Sequence, residues 1–200
     1  MNKPVVKSIF LVALALTSCD VFSTRTPENP TLGTGTYEPP TSADIVLTNF
    51  VNAINEANIS NYEKCFADKS KGHVFGLVFE PSGSVLNSYT GIFADWTASI
   101  EVRTMKSVFT SLQTETMPVF VMSDQSYNSV GIDSVSLSAD YSLSVSFVNE
   151  IEQRHYSGSM YLYLYKEADG YWYINRWIDL DSKTDTTHSS FSLLKAEHYN

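Results

Sequence analysis

Polar side chains suited to chemistry stand between aromatic residues near the C-terminal end of the chain. Asn175 and Asp179 alternate with Tyr173 and Trp177, and alternate residues of a β-strand point to the same face. If all four face the interior, they form apolar walls with two placed polar groups, which is the composition of a small-molecule pocket. In the alternative interpretation Asp179 lies near a strand end, where it contacts water or caps a backbone group, and Asn175 is exposed. A one-residue bulge would exchange the two faces.

Other sequence signatures of catalysis or of cofactor binding are absent. The four histidines show no metal-ligand spacing such as H-x-x-x-H. The chain also lacks a glycine-rich nucleotide loop, a G-x-S-x-G elbow and a Cys-His pair in a recognisable context. We therefore expect no metal and no cofactor, and an acid such as Asp179 is the one arguable catalytic group. The histidines are His73, His155, His188 and His198.

The composition describes an acidic chain that can bury a core. Its 200 residues include 22 Asp and Glu against 13 Lys and Arg, a net charge of −9, and no dense basic cluster. Nucleic acid is therefore not an expected partner. Hydrophobic residues make up 43% of the chain and charged residues 18%, which excludes wholesale disorder and fits one domain with additional segments.

The N-terminus has the layout of a secretory signal followed by a lipidation motif. Lys3 and Lys7 precede the apolar run Ser8–Leu16, which is too short to span a bilayer. The sequence Leu16-Thr17-Ser18-Cys19 resembles the bacterial lipobox. This resemblance implies that residues 1–18 are a lipoprotein signal peptide and that Cys19 receives acyl chains such as palmitate, which would anchor the protein to a membrane of the bacterial cell envelope. The alternative is an ordinary secretory peptide with an incidental cysteine.

The remaining chain divides into a tether, a domain and a tail. Residues 19–41 are rich in Pro, Thr and Gly without apolar periodicity and are predicted to form a flexible tether. Organised sequence covers residues 42–181. Residues 182–200 are a polar tail in which Phe191–Ala196 has the pattern of a short docked helix. The second cysteine, Cys65, stands among aromatic residues and is expected to be a buried small hydrophobe.

Hydrophobic periodicity predicts helices followed by sheet. Capping patterns at Thr41 and Ser60 start an amphipathic helix of about four turns and a short second helix, and a third helix covers Ala98–Leu112. The predicted strands are Val74–Phe79, Pro118–Met122, Val130–Leu137, Tyr141–Phe147, Tyr156–Lys166 and Tyr171–Asp181, the last two joined by the hairpin signal Asp169-Gly170. This order predicts an α+β domain with N-terminal helices packed on a curved antiparallel sheet.

Both ends of the domain resemble a known superfamily. Asn49–Ile54 leading to Tyr62, and Asp169–Asp179, look like the opening helix and closing hairpin of the nuclear-transport-factor-two-like superfamily, which includes ketosteroid-isomerase-like and SnoaL-like proteins. The resemblance covers about residues 42–181 and implies a cone-shaped fold with a pocket at its wide end. It also implies that an inner-strand acid, here Asp179, can serve as general base.

A candidate pocket and a candidate interface lie on opposite faces of the predicted sheet. The pocket residues are Tyr62, Phe66, Tyr173, Asn175, Trp177 and Asp179. The outer face presents aromatic side chains with a polar handle, and sheet-to-sheet homodimers occur in the resembling superfamily. The interface residues are Tyr161, Tyr163, Tyr165 and Trp172. The alternative is that a loop or the C-terminal tail covers this face, or that the tyrosines only extend their polar ends into water.

These features favour a membrane-anchored envelope lipoprotein whose cone binds a small apolar ligand or an envelope protein without catalysis. One alternative is an isomerase-, cyclase- or dehydratase-like enzyme with Asp179 as base and Tyr62 or Tyr89 as hydrogen-bond donor. The sequence has no complete Tyr-Asp-Asp or His-Asp set, which departs from the known enzymes of the superfamily. A second alternative is a structural, homo-oligomeric component of the envelope.

Overall fold

A computed structural model describes residues 35–183 and 189–199 of the chain. The predicted signal peptide and Cys19 lie outside these residues. Within the described ranges the chain forms five α-helices, one 3-10 turn at Lys69–Lys71 and five strands. The helices are α1 (Ala43–Asn55), α2 (Ile59–Glu63), α3 (Gly83–Ser88), α4 (Ala98–Thr110) and α5 (Phe191–Glu197), and the strands are β1 (Val78–Glu80), β2 (Val119–Gly131), β3 (Ser134–Val145), β4 (Arg154–Lys166) and β5 (Trp172–Asp181).

Side-chain caps determine where three helices begin. Ser42, Asn58 and Thr97 stand before α1, α2 and α4, and each side chain accepts a hydrogen bond from a backbone N–H three residues further on. The predicted caps at Thr41 and Ser60 are therefore displaced by one and two residues, because a neighbouring side chain satisfies the first turn instead.

Residues 35–41 are organised, which corrects the predicted C-terminal boundary of the tether. They run along α1, where the Asn49 side chain accepts a hydrogen bond from the backbone N–H of Glu38 at 3.0 Å and donates one to its carbonyl at 2.7 Å. The carbonyl of Pro40 accepts a hydrogen bond from the N–H of Trp172 at 2.8 Å. This segment therefore belongs to the domain, although its composition is that of a linker.

The five strands form one sheet in the order β1-β5-β4-β3-β2, antiparallel except for β1, which is parallel to β5. Two strand predictions are corrected. Val130–Leu137 is not one strand, because the turn between Gly131 and Ser134 divides it into the end of β2 and the start of β3. Of the predicted strand Val74–Phe79, only the last two residues lie in β1. Helix α3 was not predicted from the sequence.

A bulge at Asn175 changes which side chains of β5 face inward. Tyr163 pairs with Arg176, whereas the next residue of β4 pairs with Ile174, so that Asn175 has no partner in the ladder. Ile174 is buried on the inner face, and Tyr173 turns to the opposite face. Tyr173 and Asn175 therefore do not share a face with Trp177 and Asp179, and the prediction that all four face the interior is wrong for Tyr173 and Asn175.

The helices pack on the inner face of the sheet around an aromatic core. Phe50 of α1 lies at its centre, with its ring centroid between 5.5 and 6.0 Å from those of Tyr62, Phe66, Phe120 and Trp177. All five rings have 0–1% of their residue surface exposed. Burial of such rings stabilises the packing of the helices on the sheet.

The C-terminal helix α5 is part of this core and not a tail. Phe191 and Leu194 are completely buried, and the ring of Phe191 packs 5.0 Å from that of Trp177. Ser189, just before the helix, forms a parallel bridge with Tyr156 of β4. The short helix suggested by the sequence is therefore present, and the domain extends beyond Asp181.

Candidate functional site

Asp179 lies on the inner face of β5, fully buried beneath α5. Its Oδ1 atom accepts a hydrogen bond from the Tyr141 hydroxyl at 2.7 Å, and its Oδ2 atom accepts bonds from the backbone N–H, at 2.7 Å, and from the hydroxyl of Ser192. Burial raises the pKa of Asp179 above its usual range, although these hydrogen bonds and the nearby Lys195 oppose the shift. Asp179, the arguable general base, therefore anchors α5 through Ser192.

Tyr141 connects the same carboxylate to the backbone of α5. Its hydroxyl donates to Asp179 and accepts a hydrogen bond from the N–H of Phe191 at 2.7 Å. Gly158 of β4 leaves room for this phenol, since a Cβ atom at that position would lie 2.7 Å from the Tyr141 oxygen. Burial and the neighbouring carboxylate raise the pKa of Tyr141 well above 10, so the phenol remains protonated.

Glu101 of α4 is a second buried acid with a complete set of donors. Its Oε1 atom accepts a hydrogen bond from the Tyr62 hydroxyl at 2.6 Å, and its Oε2 atom accepts one from Nε1 of Trp96 at 2.7 Å. The same Oε2 atom forms an ion pair with Nζ of Lys195 at 3.0 Å. A buried carboxylate is stable only with such partners, and here three different elements provide them.

Lys195 projects from α5 into the space between the sheet and α4. Its side chain is fully buried, and Nζ lies 3.4 Å from the ring centroid of Trp177, 3.5 Å from that of Phe79 and 5.5 Å from that of Phe191. Burial lowers the pKa of Lys195 to about 8, while the charge of Glu101 opposes that shift. An ammonium group enclosed by ring faces and one carboxylate is a cation–π site.

The cluster contains groups that can transfer protons, but the structure encloses them. Asp179, Glu101 and Lys195 have no exposed surface. Four surface grooves formed by the described residues include none of the three in their walls. A general base needs a substrate proton within hydrogen-bond reach, and in this structure the acceptor atoms of Asp179 already face donors of the chain itself.

The predicted pocket residues do not form one site. Tyr62, Phe66, Trp177 and Asp179 lie in the core, where Tyr62 donates to Glu101 rather than to Asp179. The Tyr173 ring instead stacks on His73, with centroids 4.2 Å apart, and its hydroxyl donates to Asp169. Asn175 lies on the bulge, and the other predicted donor, Tyr89, ends α3.

Glu101, Trp96 and Lys195 were not predicted as site residues. The sequence contains a signal for two of them. Glu101 lies on the apolar stripe of α4 that includes Ala98, Met105 and Val108. Lys195 follows Phe191 by one helical turn and therefore lies on the same face of α5. A charged residue at a core position on each of two helices indicates a buried pair. Cys65 is free and 2% exposed, which confirms the prediction that it is a core residue.

The outer face of the sheet is open among the described residues. Tyr161 is 42% exposed, and Tyr163 and Tyr165 are partly buried. Trp172 lies before the bulge on the same face as Ile174 and packs against the core, so its prediction as an outer-face residue is wrong. Serines of β3 lie directly opposite the three tyrosines in the ladder, with Ser138 paired to Tyr161, Ser136 to Tyr163 and Ser134 to Tyr165. A groove of about 570 Å³ crosses this face between Asp124, Asp140, Tyr161 and Lys183.

Membrane-spanning helices and metal-binding clusters are both absent from the described residues. No helix there is long and apolar enough to cross a membrane. In the same ranges, no three His, Cys, Asp or Glu side chains are grouped as a metal site would require.

Comparison with solved structures defines the fold class. A nuclear transport factor 2-like superfamily protein from Salmonella enterica superimposes with a TM-score of 0.52 at 11% identity, over 71% of this chain and 90% of the other. A nuclear transport factor 2-like protein of unknown function in nutrient uptake from Rhodospirillum rubrum gives 0.52 at 10% identity, over 70% and 98%. A candidate scytalone dehydratase from Novosphingobium aromaticivorans gives 0.52 at 12%, over 68% and 78%.

The domain therefore has the nuclear transport factor 2-like cone fold, which confirms the predicted fold class. No protein-family model and no curated protein sequence matches the chain. At identities of 10–12% the likeness establishes the fold alone, and one fold supports many functions.

Proposed function

We propose that this protein is a noncatalytic, lipid-anchored binding protein of the bacterial cell envelope, and that it contacts a protein partner through the outer face of its sheet. The observation that carries the proposal is the position of α5. This helix covers both buried acids, Asp179 and Glu101. Ser192 and Lys195 already contact the carboxylate oxygen atoms to which a substrate would have to bind. The surface available for binding is then the outside of the cone.

The enzyme alternative requires α5 to leave the core. Removal of Phe191 and Leu194 alone from their buried positions costs about 3–6 kcal/mol at 1.5–3 kcal/mol for each side chain. The open form would then be populated at less than about 1%. The neighbour described as a candidate scytalone dehydratase shows that the fold is compatible with such a role, but the closed interior of this chain favours binding.

Substitution of each cysteine, combined with palmitate labelling, tests the lipid anchor. We expect metabolic labelling with radioactive palmitate to label the protein and to place it in the membrane fraction. Cys19→Ala should abolish both results, because the thiol is the acylation site. Cys65→Ala is the matched control and should retain the label, since Cys65 is buried in the domain. Label in the Cys19→Ala protein would contradict the anchor.

The outer face has the composition of an adaptable contact surface. Tyrosine supplies rigid amphipathic area and serine supplies hydrogen bonds. Tyr161 lies in the wall of the outer groove, and Arg176 lies over the ring of Tyr163 with its guanidinium carbon 5.3 Å from the centroid. A protein partner fits this open, polar and aromatic face better than a small apolar ligand does.

Site-specific photo-cross-linking in the producing cells tests this face. We expect a benzophenone amino acid in place of Tyr161 to give one discrete cross-linked product, which mass spectrometry would identify as a partner or as a second copy of this chain. The matched control is the same group in place of Leu86 on α3, which is 49% exposed. Equal products at both positions, or none at Tyr161, would contradict the proposal.

A further inference from the structure

The interior of the cone contains a binding site whose ligand is part of the chain. We propose that the space around Nζ of Lys195 is a site for a primary alkylammonium group, and that the protein's own lysine occupies it in cis. This inference goes beyond the proposed partner on the outer face, because it concerns what the cone interior is built to recognise.

Three elements other than α5 form the walls of this site. Trp177 of β5 and Phe79 of β1 present their ring faces to Nζ at 3.4 and 3.5 Å, and Glu101 of α4 supplies the carboxylate at 3.0 Å. The two rings are perpendicular, with centroids 5.4 Å apart, and make a corner around the ammonium. Ring faces and one carboxylate are the groups that recognise organic cations when water is excluded.

The walls are held in place without Lys195. The Glu101 carboxylate is fixed by hydrogen bonds from Tyr62 at 2.6 Å and Trp96 at 2.7 Å, so it points at the same place whether or not an ammonium is present. The ring of Phe79 also packs 5.6 Å from that of Trp96. Such preorganisation reduces the ordering cost of binding and is typical of a recognition site.

The Lys195 side chain, as an intramolecular ligand, excludes free amines from the site. An external amine can enter only if Lys195 leaves with α5, and the buried side chains of Phe191 and Leu194 oppose that movement. We therefore expect free amines to bind the wild-type protein at least about 100-fold more weakly than a variant in which the lysine side chain is shortened.

Lys195→Ala in the full chain tests the site directly. The substitution removes Cγ, Cδ, Cε and Nζ, which are the heavy atoms of n-propylammonium. We expect n-propylammonium chloride to raise the thermal unfolding midpoint of this variant in a saturable manner. Sodium chloride at the same ionic strength and 1-propanol at the same concentration should have at most small effects. Neither compound should shift the wild-type protein at these concentrations.

Two further variants separate charge recognition from filling of a cavity. Lys195→Met keeps the volume and should not respond to n-propylammonium. In the double variant Glu101→Gln/Lys195→Ala, the preference for n-propylammonium over 1-propanol should fall at least tenfold, because the carboxylate is gone. An equal response of Lys195→Ala to both compounds contradicts the proposal, as does an unchanged preference in the double variant.

The proposal can also be tested if Lys195→Ala does not fold on its own. Refolding is then monitored by circular dichroism with and without 100 mM n-propylammonium. Recovery of the native spectrum with the amine and not with 1-propanol supports the site. Failure to recover with either compound contradicts it, because a recognised cation would stabilise the native state by mass action.

Discussion

Lys195 Nζ lies 3.0 Å from Glu101 Oε2, and neither side chain has any exposed surface. The pair joins the C-terminal helix to α4 in the middle of the domain. Each charge is tolerated in the core because the other is present, together with the hydrogen-bond donors on the acid and the ring faces around the ammonium. Several expected outcomes depend on this relationship.

Removing one partner of the pair should be strongly destabilising. We expect Glu101→Gln to lower the free energy of unfolding by about 3–5 kcal/mol, because it leaves the Lys195 ammonium buried without its counterion. The matched control is Glu63→Gln, which breaks the exposed pair with Lys71 and should cost at most about 1 kcal/mol. Urea denaturation measures both values, and similar losses would show that the buried pair has no special role.

The stability of the protein should rise between about pH 8 and pH 9. Burial lowers the pKa of Lys195 to about 8, against an ordinary value of 10.5 in the unfolded chain. In this interval the unfolded state binds more protons than the native state, so the free energy of unfolding increases with pH. Above about pH 9 it should fall again, because Cys65, Tyr62 and Tyr141 have raised pKa values and keep protons in the native state that the unfolded chain loses.

Urea denaturation at a series of pH values tests this profile. Lys195→Met is the control, because it lacks the titrating group and should not show the rise. The same rise in the variant would mean that another group is responsible, and a wild-type protein without the rise would contradict the lowered pKa of Lys195.

Gly158 should not tolerate a side chain. Gly158→Ala places a methyl group against the Tyr141 hydroxyl and the backbone carbonyl of Leu180. We expect a loss of about 1–3 kcal/mol, the usual range for overpacking. Gly83→Ala in α3 is the matched control, because nothing lies within 4 Å of its added Cβ atom, and it should be neutral or slightly stabilising. An equal effect at both sites would contradict the close contact in the sheet.

The thiol of Cys65 should be chemically silent in the native protein. It is 2% exposed, and burial raises its pKa far above the ordinary value, so the reactive thiolate is not populated. We expect no reaction with a thiol reagent under native conditions and complete reaction in denaturant. Rapid native labelling would show that α2 and the segment after it open readily.

The local features of the fold could be predicted from the sequence because they depend on neighbouring residues. The apolar spacing of α1 and α4, the alternation of serine with apolar residues from Tyr141, and the Asp169-Gly170 turn each identify an element. The position of Cys65 in the core also follows from its surroundings. Capping residues were misplaced by one or two positions, because adjacent polar side chains compete for the same N–H groups.

The bulge at Asn175 could not be predicted, and it changed the candidate pocket. Strict alternation places Asn175 beside Trp177, but one extra residue in β5 exchanges the faces before the bulge. Such an insertion depends on how β4 and β5 align over their whole length, which no short pattern encodes.

The sequence by itself determined the two long helices, most of the strands and the core position of Cys65, because these follow from hydrophobic periodicity and neighbouring residues. Only the tertiary structure decided which charged residues are buried and what they contact. Glu101, Asp179 and Lys195 lie on three different elements, and α5 brings them together by packing Phe191 and Leu194 into the core. A buried charge is defined by its partners in space, and those partners are fixed by the packing of whole elements.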